Sequence, residues 1–486
     1  MTRPLSVARR RFLSKAAALS VAGPAAPFAL SLASMGEAAA QSVSCTDYKA
    51  LVCLFLVGGN DAFNTVLATD TPSWDAYVAA RNVLPSPIAL PPAGFSGGVL
   101  PISPITPIAG RSFALHPELT HLKTMFEVDR RAAIIANVGP LVRPTSIAEY
   151  RNSAHPKPRK LFSHNDQQSM WQSFSPEGST QGWGGRVMDL LASCNSSATF
   201  ASISSGGNVV WLSGRNTRQY QLSANGALRI NAARGTLYGS TTASDTLRTL
   251  ATDPREHLIM REQAAVYART LTTSDELIGA LSTGAAASVP APTNWVPAGT
   301  SGSGTSNPVA NSLRMVARMI AARDTLGLRR QVFFVPIGGF DTHDGQLPAH
   351  ATLLGRMSLA MKYFNDQMAA LGLADKVTPF TASDFGRTLS SNGDGTDHGW
   401  GGHHFVVGGA VNGGRIYGTF PEIGLGTATD VGRGSLLPTT VVDQYAGMLA
   451  RWFGVPNAAL ADLFPNLPNF VTGNDFGLPA SLRFVG

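Results

Sequence analysis

Cysteine is scarce in this 486-residue chain: Cys45, Cys53 and Cys194 are all there is. Three thiols build no disulfide framework, and none sits in a CxxC pair. An oxidising compartment permits one disulfide and leaves at least one thiol free. Cys53 lies inside an apolar run and reads as a small buried hydrophobe. Charge is scarce as well, at 14% of residues, and mean hydropathy is +0.05. That balance excludes a disordered chain, and by composition it excludes a nucleic-acid binder. Of the formal charge of +7, the first 40 residues contribute +4, through Arg3, Arg9, Arg10, Arg11 and Lys15 against Glu37. The remaining +3 is too little to argue for a polyanionic partner on charge alone, and no basic run appears in the body of the chain. Internal repeats are absent. No G-x-G-x-x-G follows an early strand, which argues against a dinucleotide fold.

The N-terminal arginines have their own explanation. Ala8 to Lys15 reads ARRRFLSK, which resembles the twin-arginine export consensus. A weakly apolar stretch from Ala16 to Ala33 follows, interrupted by Gly23, Pro24 and Pro27, and Ala38 to Ala40 suits a signal peptidase. Residues 1–40 are therefore expected to be an export signal rather than a stable membrane anchor, and 41–486 a single domain in the periplasm or outside the cell. No later segment offers 18 uninterrupted apolar residues.

Apolar, β-branched runs predict buried strands at 51–57, 132–138, 331–335, 376–380 and 405–407. Apolar spacing predicts helices over 115–126, 240–282, 311–328 and 349–371, with 283–310 as a flexible Ala/Pro/Gly/Ser-rich loop. Strands alternating with helices predict an α/β fold with a mostly parallel sheet covered on both faces.

The densest chemistry lies between Pro336 and Val411, where half of the ten histidines fall in glycine-punctuated turns: His343, His350, His398, His403 and His404. Two of these turns follow predicted strands and the third precedes one, so their Asp and His side chains can converge at one sheet edge. Three or four histidines with three aspartates suit Zn, or Mn or Mg where carboxylates dominate.

These turns also carry a resemblance. GGNDAFNT (58–65), LHPEL (115–119), SHNDQQ (163–168), GWGGR (182–186), GFDTHDGQ (339–346), SDFGRT (383–388), TDHGWGGHH (396–404) and GGAVNGGRIYG (408–418) are similar to a bacterial family known as domain of unknown function 1501. That family is placed in the alkaline phosphatase–sulfatase superfamily. The resemblance implies a doubly wound α/β fold, a site for one or two metal ions, and hydrolysis of phosphate or sulfate esters. By position, Asp61, Asp341, His343, Asp384, His398 and His404 are then the expected metal ligands. Asp397 would orient His398, and His350 would be a further ligand or a helix cap. Ser163, at a helix N-terminus, is the expected nucleophile and Thr65 the runner-up. Arg387 would clamp an oxyanion or pair with Asp384. Phe385 departs from the superfamily pattern, which has a histidine after the aspartate, unless His164 or His398 supplies the imidazole. The expected partners are an ester substrate and the twin-arginine machinery. The competing expectation is a non-catalytic exported binding protein with a partial metal site.

Overall fold

Lys49–Leu56 (β1) and Ala132–Gly139 (β2) contain eight residues each, nearly all buried on both sides of the strand. A strand without a polar face belongs in the middle of a sheet covered by helices. The computed structural model, which describes residues 45–226, 231–233, 235–254, 256–470 and 482–486, places both there. The predicted export signal lies outside the described residues.

Ser202–Ser204 (β3), Tyr220–Gln221 (β4), Arg330–Ile337 (β5), Val377–Ser383 (β6), Gly402–Val407 (β7), Ile416–Tyr417 (β8) and Thr440–Val441 (β9) complete the main sheet. Its order is β8-β2-β7-β6-β1-β5-β3-β4, with β9 also pairing with β2. All described pairings are parallel except those of β7, which runs antiparallel to both β2 and β6. The sheet is thus mixed and mostly parallel, as expected. The reversal of β7 matters for function. It brings the segment before β7 to the same edge as the carboxyl ends of β1, β5 and β6.

On one face, Cys53 and Phe55 of β1 and Phe380 and Ala382 of β6 meet Trp171, Trp183, Trp211 and Tyr445. Helices His164–Ser173 (α2), Trp183–Leu190 (α3) and Val442–Phe453 (α6) bring three of these aromatics. Pro308–Ala321 (α4) and Gln346–Ala370 (α5) pack on one another, and α4 lies on β5. The predicted 115–126 helix is shorter: Leu115 closes a small strand, and the helix runs Thr120–Glu127. Pro117 and a hydrogen bond from the Glu118 amide to His116 Nδ1 occupy the turn between them. Segment 283–310 contains a short helix, Gly284–Ser288, and a bridge between Trp295 and Thr305.

Cys45 and Cys194 form a disulfide with Cα atoms 5.3 Å apart, and Cys53 is a buried free thiol. Among the described residues, no helix is long and apolar enough to cross a membrane.

Candidate metal centre

Past β5 the chain turns through Gly338 and Gly339 into Asp341 and His343. Ahead of β7, Thr396–His398 forms a small antiparallel ladder with Arg387–Ser391, setting His398 opposite Arg387. From the far side, α2 delivers His164 as its first residue.

His164, Asp341 and His398 converge on one point, and His343 abuts two of them. Asp341 Oδ1 lies 3.1 Å from His343 Nε2 and 3.3 Å from His398 Nε2. Asp341 Oδ2 lies 3.4 Å from His164 Nε2, and the two nitrogens of His343 and His398 are 3.0 Å apart. Donor atoms of His164, Asp341 and His398 all fall within 4.8 Å of one another.

Behind two of the imidazoles stands an acceptor that fixes the other nitrogen, and behind the third a more distant carboxylate. His164 Nδ1 lies 2.7 Å from Asp384 Oδ2, and His398 Nδ1 lies 2.8 Å from the Phe162 carbonyl. His343 Nδ1 lies 3.5 Å from Asp397 Oδ1. Imidazoles that donate from Nδ1 turn an Nε2 lone pair forward, which is the arrangement of metal-bound histidines. His343 and His398 meet Nε2 to Nε2 at 3.0 Å, a contact one ring can donate to the other, and His164 Nε2 is buried without a hydrogen-bond partner. A tetrahedral zinc, with bonds of about 2.0–2.1 Å, spaces its donors roughly 3.3 Å apart. The donors of His164, Asp341 and His398 are thus of a kind and closeness that one divalent ion could use.

The hydrogen bond to Asp384 raises the His164 pKa against partial burial, whereas burial pushes His398 down. Burial opposes ionisation of Asp341, but Arg387 outweighs it and holds that carboxyl below the ordinary range. The cluster opens to solvent, with the side chain of Asp341 45% and that of His343 40% exposed.

Several expected roles need correction. Asp61 is fully buried, with its carboxylate gripped by Arg81 NH1 and NH2 at 2.5 and 2.9 Å and by Gln346 at 2.7 Å. Its oxygens are spent, so it does not join the cluster. Asp384 Oδ2 orients His164 and also accepts from Gln168 at 2.9 Å, while its Oδ1 is buried without a hydrogen-bond partner. His404 lies on β7 and projects into the core, 4.8 Å from the Trp171 ring, where burial pushes its pKa to about 3. His350 is buried within α5, bonded to Asn60 Oδ1 at 2.9 Å, with burial lowering its pKa to about 4.

Arg387 cannot clamp a substrate anion. Its side chain is fully buried, and its guanidinium holds Asp341, the Gly58 carbonyl and Thr396. It pairs with Asp341 rather than Asp384. Asp397 serves His343 and Arg433 instead of orienting His398. Thr65 is buried, with its hydroxyl donating to the Asp61 carbonyl at 2.6 Å. Ser163 does precede a helix, but its hydroxyl bonds Asp166 Oδ2 at 2.9 Å and caps no backbone amide.

Phe385 fills the space where a further imidazole was expected. Its ring centroid lies 4.8 Å from that of His164 and 4.6 Å from that of His398. Gly59 makes room for it: the backbone there has φ of +90°, and a Cβ would come within 2.4 Å of the ring. Sequence reasoning named His164 only as a possible substitute; its place at the head of α2, in SHND, was the available signal.

A search of curated proteins finds no match. Among solved structures, the chain is similar to Ps i-CgsB in complex with k-i-k-neocarrahexaose, at 8% identity and a TM-score of 0.33 over 87% of this chain and 77% of that one. It is also similar to the PsFucS1 sulfatase from Pseudoalteromonas sp., at 7% identity and a TM-score of 0.33 over 89% and 73%. Likeness at that level carries no argument about this chain. The family described as protein of unknown function (DUF1501) is decisive: its pattern matches residues 48–460, and the chain belongs to that family.

Proposed function

We propose that this chain is an exported, metal-dependent hydrolase of phosphate or sulfate esters that works with one divalent ion. The observation that supports it most is the approach of three Nε2 atoms to the Asp341 carboxylate, with the Nδ1 atoms of His164 and His398 fixed from behind. Three imidazoles to one carboxylate favour Zn over Mn or Mg. A bound ion would polarise the ester and neutralise charge on its oxygens.

The chain's own groups take the remaining tasks. Ser163 sits beside the ligand His164 at the start of α2, where helix N–H groups favour an anionic oxygen. Asp166 accepts its hydroxyl hydrogen at 2.9 Å and is placed to take the proton as the oxygen attacks phosphorus or sulfur; the ester's alcohol leaves, and water then cleaves the seryl ester to release the inorganic anion. Arg387 keeps Asp341 ionised and fixed. Export by the twin-arginine route draws on Arg9 and Arg10, and the Cys45–Cys194 disulfide suits an oxidising compartment.

A second reading, an exported binding protein with a metal site but no turnover, draws on Phe385 and on the sealed Asp61. The two separate in one experiment on protein exported with its metal. Metal content is measured together with turnover of aryl phosphates and aryl sulfates, for wild type and Ser163→Ala. The hydrolase reading expects turnover that falls at least about a hundredfold in Ser163→Ala while metal content holds. A metal-replete wild type inactive on every ester leaves the binding protein. For export, replacing Arg9 and Arg10 by Lys should leave precursor in the cytoplasm; unchanged periplasmic yield refutes that route.

A further inference from the structure

The strap entering α2, residues 141–163, carries five basic residues, Arg143, Arg151, Lys157, Arg159 and Lys160, against Glu149 alone. Beyond residue 40 the chain's net charge is +3, so the strap's +4 exceeds that of the whole remaining body. Spread over eighteen positions, 143–160, these residues form no run that sequence inspection would flag.

The fold sorts the strap into two sides. Ile147, Tyr150, Leu161 and Phe162 pack on the cluster that contains Trp400, with the Tyr150 ring 5.7 Å from that indole. Trp400 stands two residues beyond the donor His398, and the Phe162 carbonyl itself holds His398 Nδ1. Lys160 and Phe162 have φ of +50° and +70°. Such left-handed conformations are unfavourable for a non-glycine residue, and the surrounding contacts sustain them. The strap's apolar side is thereby fixed against the metal centre.

Its basic side faces water. Arg143, Arg151, Arg159 and Lys160 are exposed. Lys157 is taken up by the carbonyls of Tyr150 and Asn152. Glu149 is turned into the capping box with Ser146. Lys160 lies 3.6 Å from Asp166, and among the described residues no ion pair engages Arg143, Arg151 or Arg159. Like charges held together without counterions repel, and an anionic ligand relieves that repulsion.

We propose that the strap is the outer anion-binding wall of the metal centre and that the substrate is a polyanionic ester. One anionic group would meet the ion, and the next would meet Lys160 and Arg159. This rests on the ester-hydrolase reading above and narrows its substrate class.

The test is calorimetric titration of metal-loaded protein with inorganic tripolyphosphate and with orthophosphate, comparing wild type with Arg159→Ser/Lys160→Asn. Asn tolerates the left-handed backbone at 160, and both side chains are exposed, so the variant should fold. The expected result is a tripolyphosphate Kd raised about tenfold and an orthophosphate Kd changed less than about twofold. Added salt should erase the tripolyphosphate advantage of the wild type. An unchanged tripolyphosphate Kd, or an equal loss for both anions, overturns the proposal. Calorimetry reads binding alone, so loss of the tripolyphosphate preference fails the strap, whereas a failed turnover screen fails the hydrolase reading on which it rests.

Discussion

Asp61 and Asp341 follow neighbouring parallel strands whose ends are in register, Leu56 beside Ile337, and both lie on the same sheet edge. Their surroundings are opposite. Asp61 is completely buried and carries a guanidinium of its own, from Arg81, which also bonds the carbonyls of Leu389 and Thr388. Asp341 is open to water and faces the Nε2 atoms of three imidazoles. Both carboxylates meet a buried guanidinium, but Arg81 and Gln346 take up both oxygens of Asp61, whereas Arg387 bonds only Oδ1 of Asp341 and leaves that carboxylate open to the imidazoles and to water. Sequence alone made the two look alike, because each is an Asp in a glycine-rich turn after a strand.

The sharpest test of the sealed carboxylate is Arg81→Ala. Removing one partner leaves the other as an unpaired buried charge, and a loss of about 3–5 kcal/mol is expected in denaturant unfolding. Burial works against ionisation of Asp61, and Arg81 is what holds its pKa down, so the variant should protonate Asp61 or admit water. A loss below about 1 kcal/mol would mean that this pair is not what closes the edge.

On the open side, Asp341→Ala, His343→Ala and His398→Ala should each lower bound metal, measured by elemental analysis. Chelation of the wild type should lower its stability by about 2.7 kcal/mol relative to metal at one hundred times Kd. Asp384→Asn acts one step back, through the orientation of His164, and should weaken metal affinity about 10- to 100-fold without abolishing binding. Three ligand variants with wild-type metal content would reduce the cluster to ordinary turns.

How far the sequence could be read follows from the same contrast. The strands were legible because β1, β2, β5 and β6 are continuous apolar runs. The reversal of β7 was not, since a six-residue strand reads the same in either direction, yet that reversal brings His398 to the site. Asp341 and His343 were legible as a paired turn. Asp61 was misassigned because its partner lies twenty residues away, at the end of helix Thr71–Arg81, where a lone arginine gives no sign of pointing inward. Likewise, Arg387 reads as an anion clamp until the Thr396 and Gly58 carbonyls are seen to occupy its donors. His404 falls for a simpler reason: a histidine inside an apolar strand belongs to the core.

The smallest expected change tests the comparison most directly. Phe385→His restores an imidazole where Phe385 now lies against His164 and His398. If a missing imidazole were all that prevents a second ion from binding, this variant would hold two per chain. A second ion would also need a carboxylate at the β1 end, however, and both oxygens of Asp61 are occupied by Arg81 and Gln346. The new imidazole would be a polar group in a nearly closed space between two other rings, where a missing hydrogen bond costs about 1–3 kcal/mol. The expectation is therefore modest destabilisation and an unchanged ratio of one ion per chain by elemental analysis. Two ions in Phe385→His would show that Arg81 yields its carboxylate to a metal, and the division between a sealed and an open carboxylate would fall.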